Sequence, residues 1–159
     1  MRDRQAGFSL IELLVVVAII LIIVAIAIPN FLRAKISANE SSAVSSVHAI
    51  DTAEIAYSSM YGNIGYSVHL LDLGTGGLTP CPGTATASCF IDPALANGTK
   101  SGYNYTYVQN NAATPAVQFT INADPTMPGY TGQKGFYSDE SNIIRYSTTG
   151  SANINSPPI

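Results

Sequence analysis

The sequence of 159 residues is short of charge. Seven Lys and Arg and ten Asp and Glu make up 11% of it, against roughly 25% in an average soluble domain. From Gly62 to the C-terminus only eight side chains are charged: Asp72, Asp92, Lys100, Asp124, Lys134, Asp139, Glu140 and Arg145. The few cations are scattered and the net charge is −3. That balance argues against a nucleic-acid binder held by phosphate contacts, so no specific nucleic-acid partner is expected. A surface built instead from Ser, Thr, Asn, Gly and Tyr fits an extracytoplasmic protein or one packed against copies of itself.

Constellations that carry chemistry are missing as well. The two histidines, His48 and His69, stand alone. No H-x-x-x-H pair or clustered Cys/His spacing marks a metal site. There is no G-x-S-x-G elbow, and the scattered serines spell no nucleophile–His–acid arrangement. Gly74-Thr75-Gly76-Gly77 superficially resembles a phosphate loop. It lacks the Lys-Ser/Thr that follows and the strand that precedes, and reads as a plain loop. Asp139-Glu140 reads as a solvated turn pair. The nine tyrosines read as core and sheet-edge residues with a polar tip rather than as a carbohydrate platform. Asn97-Gly98-Thr99 and Asn104-Tyr105-Thr106 match the N-glycosylation pattern, which arises often by chance. The expectation is no catalytic residue, no cofactor and no metal, hence not an enzyme.

What the sequence does have is one long apolar run. Phe8 to Ile28 contains a single charge, Glu12. As a helix this run is about 31 Å long, enough to cross the hydrocarbon core of a bilayer. Arg2 and Arg4 favour keeping residues 1–7 cytoplasmic, against which Arg33 and Lys35 lie on the far flank. An alternative is a secretory signal cut after Ala27, since Ala25-Ile26-Ala27 has the A-x-A form. The run is longer than the usual apolar region of such signals and contains Glu12. A carboxylate at the centre of a membrane helix costs about 2.5–3.5 kcal/mol. Glu12 either snorkels to the headgroups, is protonated, or finds a cation. The intact run offers no cation, but a cut after Gly7 creates one, the α-amino group of Phe8, four residues from Glu12.

The stretch GFSLIELLVVVAIILIIVAIAIPNF resembles the N-terminal signature of type IV prepilins and of the pseudopilins of secretion systems. The resemblance covers about 25 residues. It implies that a prepilin peptidase cuts between Gly7 and Phe8 and methylates the Phe8 nitrogen. It further implies that Glu12 is the assembly glutamate and that Pro29 kinks the helix. No glycine lies between Gly7 and Pro29, where many members carry one. The implied function is a structural subunit of a type IV pilus, a helical homo-oligomer built by an assembly platform with a motor ATPase. The alternatives are a pseudopilin of a type II secretion system or, from a different class, a membrane-anchored binding domain. The implied locations are the inner membrane for the precursor, with its head in the periplasm, and a surface pilus or periplasmic pseudopilus after assembly.

Beyond Pro29 the chain still reads as helix, with no glycine or further proline before Gly62. Ala43, Val47, Ile50, Ala53, Tyr57 and Met60 recur at helical steps, with Asp51 and Glu54 largely off that stripe. Cys81 and Cys89 are the only cysteines. An even count beside a membrane-targeting segment suggests a disulfide, worth roughly 2–3 kcal/mol for so short a loop. Two free thiols are the other possibility. Alternation at Tyr103-Tyr105-Tyr107, Val117-Phe119-Ile121, Phe136–Ser138 and Ile143–Tyr146 predicts about four short antiparallel strands, each with one half-buried face. The predicted fold is α+β: a long N-terminal helix, transmembrane in its first half and amphipathic in its second, packed on a small antiparallel sheet. The expected divisions are a cleaved basic leader at 1–7, an apolar helix at 8–29, an amphipathic helix at 30–61 and a globular head at 62–159. The tail from Gly150 reads as irregular.

Overall fold

The computed structural model describes residues 8–78, 80–110 and 114–159. They form two compact units, one ending at Lys35 and one spanning Ile36–Ile159, and helix α1 (Leu10–Met60) contributes to both. In the first unit every described residue is exposed.

The second unit is a helix packed on a sheet. Strands β1 (Thr99–Lys100), β2 (Tyr103–Gln109), β3 (Phe119–Pro125), β4 (Gly135–Asp139) and β5 (Arg145–Ser147) lie in sequence order, all antiparallel. The strand count is five rather than about four. The extra strand is the two-residue β1, too short to show alternation. β3 starts at Phe119, which leaves Val117 outside it and 57% exposed. Ile143 and Ile144 precede β5 rather than belonging to it.

The core forms where the helix stripe meets one face of the sheet. Ala43, Val47, Ile50, Ala53 and Tyr57 of α1 are buried with Tyr103 and Tyr105 of β2, Phe119, Ile121 and Ala123 of β3, and Phe136 of β4. Cross-strand register puts Tyr105 opposite Ala123 and Tyr107 opposite Ile121, so large rings stand beside small or branched partners. Phe119 stacks on Tyr107 at 5.9 Å and meets Tyr66 edge-on at 4.8 Å. Met60 departs from the predicted stripe and is 63% exposed, because α1 ends there.

Asp51 and Glu54 are not off the stripe: they are 1% and 0% exposed. Each has a hydroxyl partner from a distant segment, Ser138 for Asp51 and Ser67 for Glu54. β4 is buried along its whole length rather than on one face. The tail covers its outer side: the Asn122 amide donates to the Ala152 carbonyl, Arg145 donates to the Ser156 carbonyl, and Pro158 bridges to Arg145. Gly135 allows this close approach, since a Cβ there would meet Asp124 Oδ1 at 2.8 Å and the Gly150 carbonyl at 2.9 Å.

Between α1 and the sheet the chain is held by backbone bonds. Ser88, Cys89 and Phe90 donate to the carbonyls of Asp72, Gly74 and Leu73, tying the cysteine loop to the 3-10 turn Leu70–Leu73. Cys81 and Cys89 form a disulfide. Within the loop it closes, Thr84 and Ala87 exchange two backbone hydrogen bonds. Two hydroxyls from the end of α1 reach into it, Tyr57 to the Ala85 carbonyl at 2.7 Å and Tyr61 to the Gly83 carbonyl at 3.0 Å. The short helix α2 (Pro93–Ala96) follows, capped by Asp92, whose side chain accepts from the Leu95 amide. Tyr57→Phe is expected to cost about 1 kcal/mol in chemical denaturation of the full chain. Most of that cost should vanish in the Cys81→Ser, Cys89→Ser background, where the loop is no longer held against the tyrosine.

Candidate assembly site

The N-terminal turn of α1 is built from Ser9-Leu10-Ile11-Glu12. The first intrahelical bond runs from the Leu13 amide to the Ser9 carbonyl, which makes Ser9 the residue that enters the helix. Glu12, three residues on, reaches back and accepts the Ser9 backbone N–H at 2.9 Å. This is the glutamate half of an S-x-x-E capping box. It satisfies one of the four amides that a helix N-terminus leaves without a partner, and it places negative charge where the helix dipole favours it. The pattern was legible in the sequence. Beside snorkelling, protonation and a new amine, the Ser9 amide is a fourth way for the Glu12 carboxylate to be satisfied.

Around the carboxylate the surface is hydrocarbon. Phe8, Ile11, Val15 and Val16 line a shallow recess with Glu12 as its one polar member. Phe8 is 84% exposed. The apolar stretch of α1 is long enough to cross a membrane, and none of it is buried. Among the described residues of this unit, nothing covers it. Gly7 and the rest of residues 1–7 lie outside the described residues. Pro29 stands inside α1, which continues on both sides of it. It has no N–H to donate, so the helix loses one backbone bond there.

Other candidates resolve into structural contacts. His48 lies on α1 and His69 precedes the 3-10 turn; among the described residues no three His, Cys, Asp or Glu side chains gather as metal ligands. Gly74 to Gly77 is a turn. Asp139 is not a solvated turn residue. It is buried, and its carboxylate accepts the Ser141 N–H at 2.9 Å, the Ser141 hydroxyl at 2.5 Å and the Tyr137 hydroxyl at 3.3 Å. Asp139 thereby organises the β4–β5 turn as an Asx turn, while Glu140 beside it stays exposed.

Residues 2–28 match the family model described as the prokaryotic N-terminal methylation motif. The chain carries a prepilin N-terminus. It is 46% identical to the type IV major pilin protein PilA of Myxococcus xanthus (strain DK1622) over 56 residues, 35% of this chain and 26% of that protein. It is 30% identical to the type II secretion system core protein G of Escherichia coli (strain K12) over 101 residues, 64% of this chain and 62% of that protein. The chain therefore matches about a quarter and three-fifths of the lengths of these two relatives. No solved structure matches it at a comparable level of significance. The prepilin motif and the apolar helix are consistent with a membrane-anchored precursor and a surface or periplasmic filament.

The two roles open to Glu12, capping and charge, can be separated. A Gln side chain keeps an acceptor for the Ser9 amide, whereas Ala removes it. In micelles, hydrogen exchange at Ser9 should speed about fivefold in Glu12→Ala, the factor for a cap worth ~1 kcal/mol. It should change little in Glu12→Gln.

Proposed function

We propose that this chain is a structural subunit of a type IV pilus, held first in the inner membrane by Phe8 to Ile28. A prepilin peptidase cuts after Gly7 and methylates the new N-terminal nitrogen of Phe8. An assembly platform with its motor ATPase then moves the helix out of lipid and into a bundle of identical helices. Glu12 sets the register there by pairing with the Phe8 amine of a neighbour. The carrying observation is a prepilin motif on a helix that exposes aliphatic side chains all round and one carboxylate in its first turn.

Energetics assign the two kinds of group different work. Lipid tails are as apolar as leucine, so leaving the membrane gives the helix no hydrophobic gain in itself. Cohesion comes from close packing among helices. Once the filament is in water, each aliphatic side chain that came loose would cost about 1.5–3 kcal/mol. The ion pair contributes little net energy when buried, but a helix one turn out of register leaves its carboxylate unpaired, which costs several kcal/mol. Pro29 supplies the place where the helix bends between the bundle and the head.

The match to core protein G, which extends over 101 residues, supports a second reading as the subunit of a short periplasmic pseudopilus. The two are distinguished by where filaments are found. Sheared surface material should contain long filaments of the processed chain if it builds a pilus, and none at native expression if it builds a pseudopilus.

Replacing Gly7 with Leu should leave the chain uncut. Intact-mass analysis of membranes containing an active prepilin peptidase should then show the full-length mass, with no species starting at Phe8. Glu12→Ala and Glu12→Gln should both insert normally and both reduce filament yield at least tenfold, scored by electron microscopy and immunoblot of sheared material. Normal yield from Glu12→Gln would show that capping, and not charge, is what assembly needs.

A further inference from the structure

Two carboxyl groups are buried on successive turns of α1, and their surroundings are unequal. Glu54 has a donor for each oxygen, which offsets only part of the upward push that burial gives its carboxyl. Its Oε2 accepts the Ser67 backbone N–H at 3.0 Å and its Oε1 accepts the Ser67 hydroxyl at 2.5 Å. Ser67 is itself fixed, since its carbonyl accepts the Tyr107 hydroxyl at 2.9 Å. Asp51 is provided for only by half. Its Oδ2 accepts the Ser138 hydroxyl at 2.7 Å, while its Oδ1 is buried and has no hydrogen-bond partner among the described residues. Ionised, Asp51 buries a charged oxygen that no donor of the described residues reaches, a costly state. Protonated, it carries no charge. With the proton on Oδ2 the bond to Ser138 reverses, and the carboxyl donates to the hydroxyl.

The location makes this consequential. Ser138 lies on β4, which pairs with β3 on one side and β5 on the other. A disturbance at Asp51 therefore reaches the strands that close the core against α1. The titratable groups that face Asp51 are His48 and Glu54 on α1 and Asp139 on β4. A charged His48 favours the anion; Asp139 and Glu54 disfavour it. Burial is the largest of these effects; with Asp139 and Glu54 it outweighs the Ser138 bond and His48, and the Asp51 carboxyl is pushed up from 3.8 to about 6.

We propose that Asp51 is a proton-operated latch between α1 and β4, which holds the head most firmly with a proton bound and loosens it when that proton leaves. Between pH 3.8 and about 6 the folded head keeps a proton that the unfolded chain has already released. Stability is thus highest below that window, falls as pH rises through it, and levels off above it. The latch is independent of whether the head decorates a pilus or a pseudopilus.

Thermal unfolding of the full chain in detergent micelles, followed by near-ultraviolet dichroism of its nine tyrosines, tests this. The wild-type midpoint should fall by about 5–10 °C between pH 4.5 and 7.5. Asp51→Asn should flatten most of that fall and melt above wild type at pH 7.5. Glu54→Gln should remove only the smaller part of the slope, because donors to both Glu54 oxygens offset part of its upward shift. If Asp51→Asn does not fold, Ser138→Ala decides. Removing the donor that stabilises the anion should move the inflection to higher pH. A wild-type midpoint that is flat or rises over this range, an Asp51→Asn profile parallel to wild type, or an unmoved inflection in Ser138→Ala would overturn the proposal.

Discussion

Phe8 to Ile28 places aliphatic side chains on every side of α1, and every residue of that stretch is exposed within its own unit. An amphipathic helix solves its solvation problem by turning one face to a core; a helix apolar all round cannot. It needs a continuous non-aqueous environment, which lipid or a sheath of similar helices can supply. Within the second unit, the apolar stripe of α1 is taken up by the sheet. The division of labour along α1 thus follows from side-chain pattern alone. Residues before Pro29 are compatible with only two surroundings, and residues from Ala43 to Tyr57 are already satisfied.

That division explains which parts of the molecule could be read from sequence. The apolar run and the Ala43, Val47, Ile50, Ala53, Tyr57 stripe are local periodicities, and a helix reports them directly. Tyr103, Tyr105 and Tyr107 alternate because β2 has one face on the core. β4 was harder: its outer face is covered by a tail lacking periodicity, and the cover depends on Asn122 and Arg145 finding carbonyls at 152 and 156. β1 has only two residues, fewer than one full alternation. The resemblance at the N-terminus draws attention to Gly7, Phe8 and Glu12, while the Ser9 amide, three residues from Glu12, is spelled out by the local S-x-x-E pattern.

The buried acids were misread for a physical reason. On a helical wheel Asp51 and Glu54 look like the polar border of a stripe, since a carboxylate is expected to face water. What overrides this is a hydroxyl brought from 87 residues away for Asp51 and from 13 residues away for Glu54. No local pattern announces such a donor. Asp139 follows the same logic on a shorter range, since its satisfaction by Ser141 depends on the turn being made.

Four carboxylates thus meet one problem, too little water, and answer it differently. Glu12 borrows the free amide of its own helix start, a donor that exists only because helices leave their first N–H groups unpaired. Such a bond holds the side chain in a defined place without using up its charge, so the carboxylate stays available to a cation. Glu54 and Asp139 each have donors to their carboxylates, and for Glu54 these offset only part of the cost of burial. Asp51 has one donor for two oxygens, and a proton removes the charge that the bare oxygen would otherwise bury. In a chain with so few charges, each one left in an apolar setting is confined by its donors to a narrow range of states. The N-terminal glutamate retains capacity for a partner outside its chain; the helix–sheet aspartate is completed by a proton.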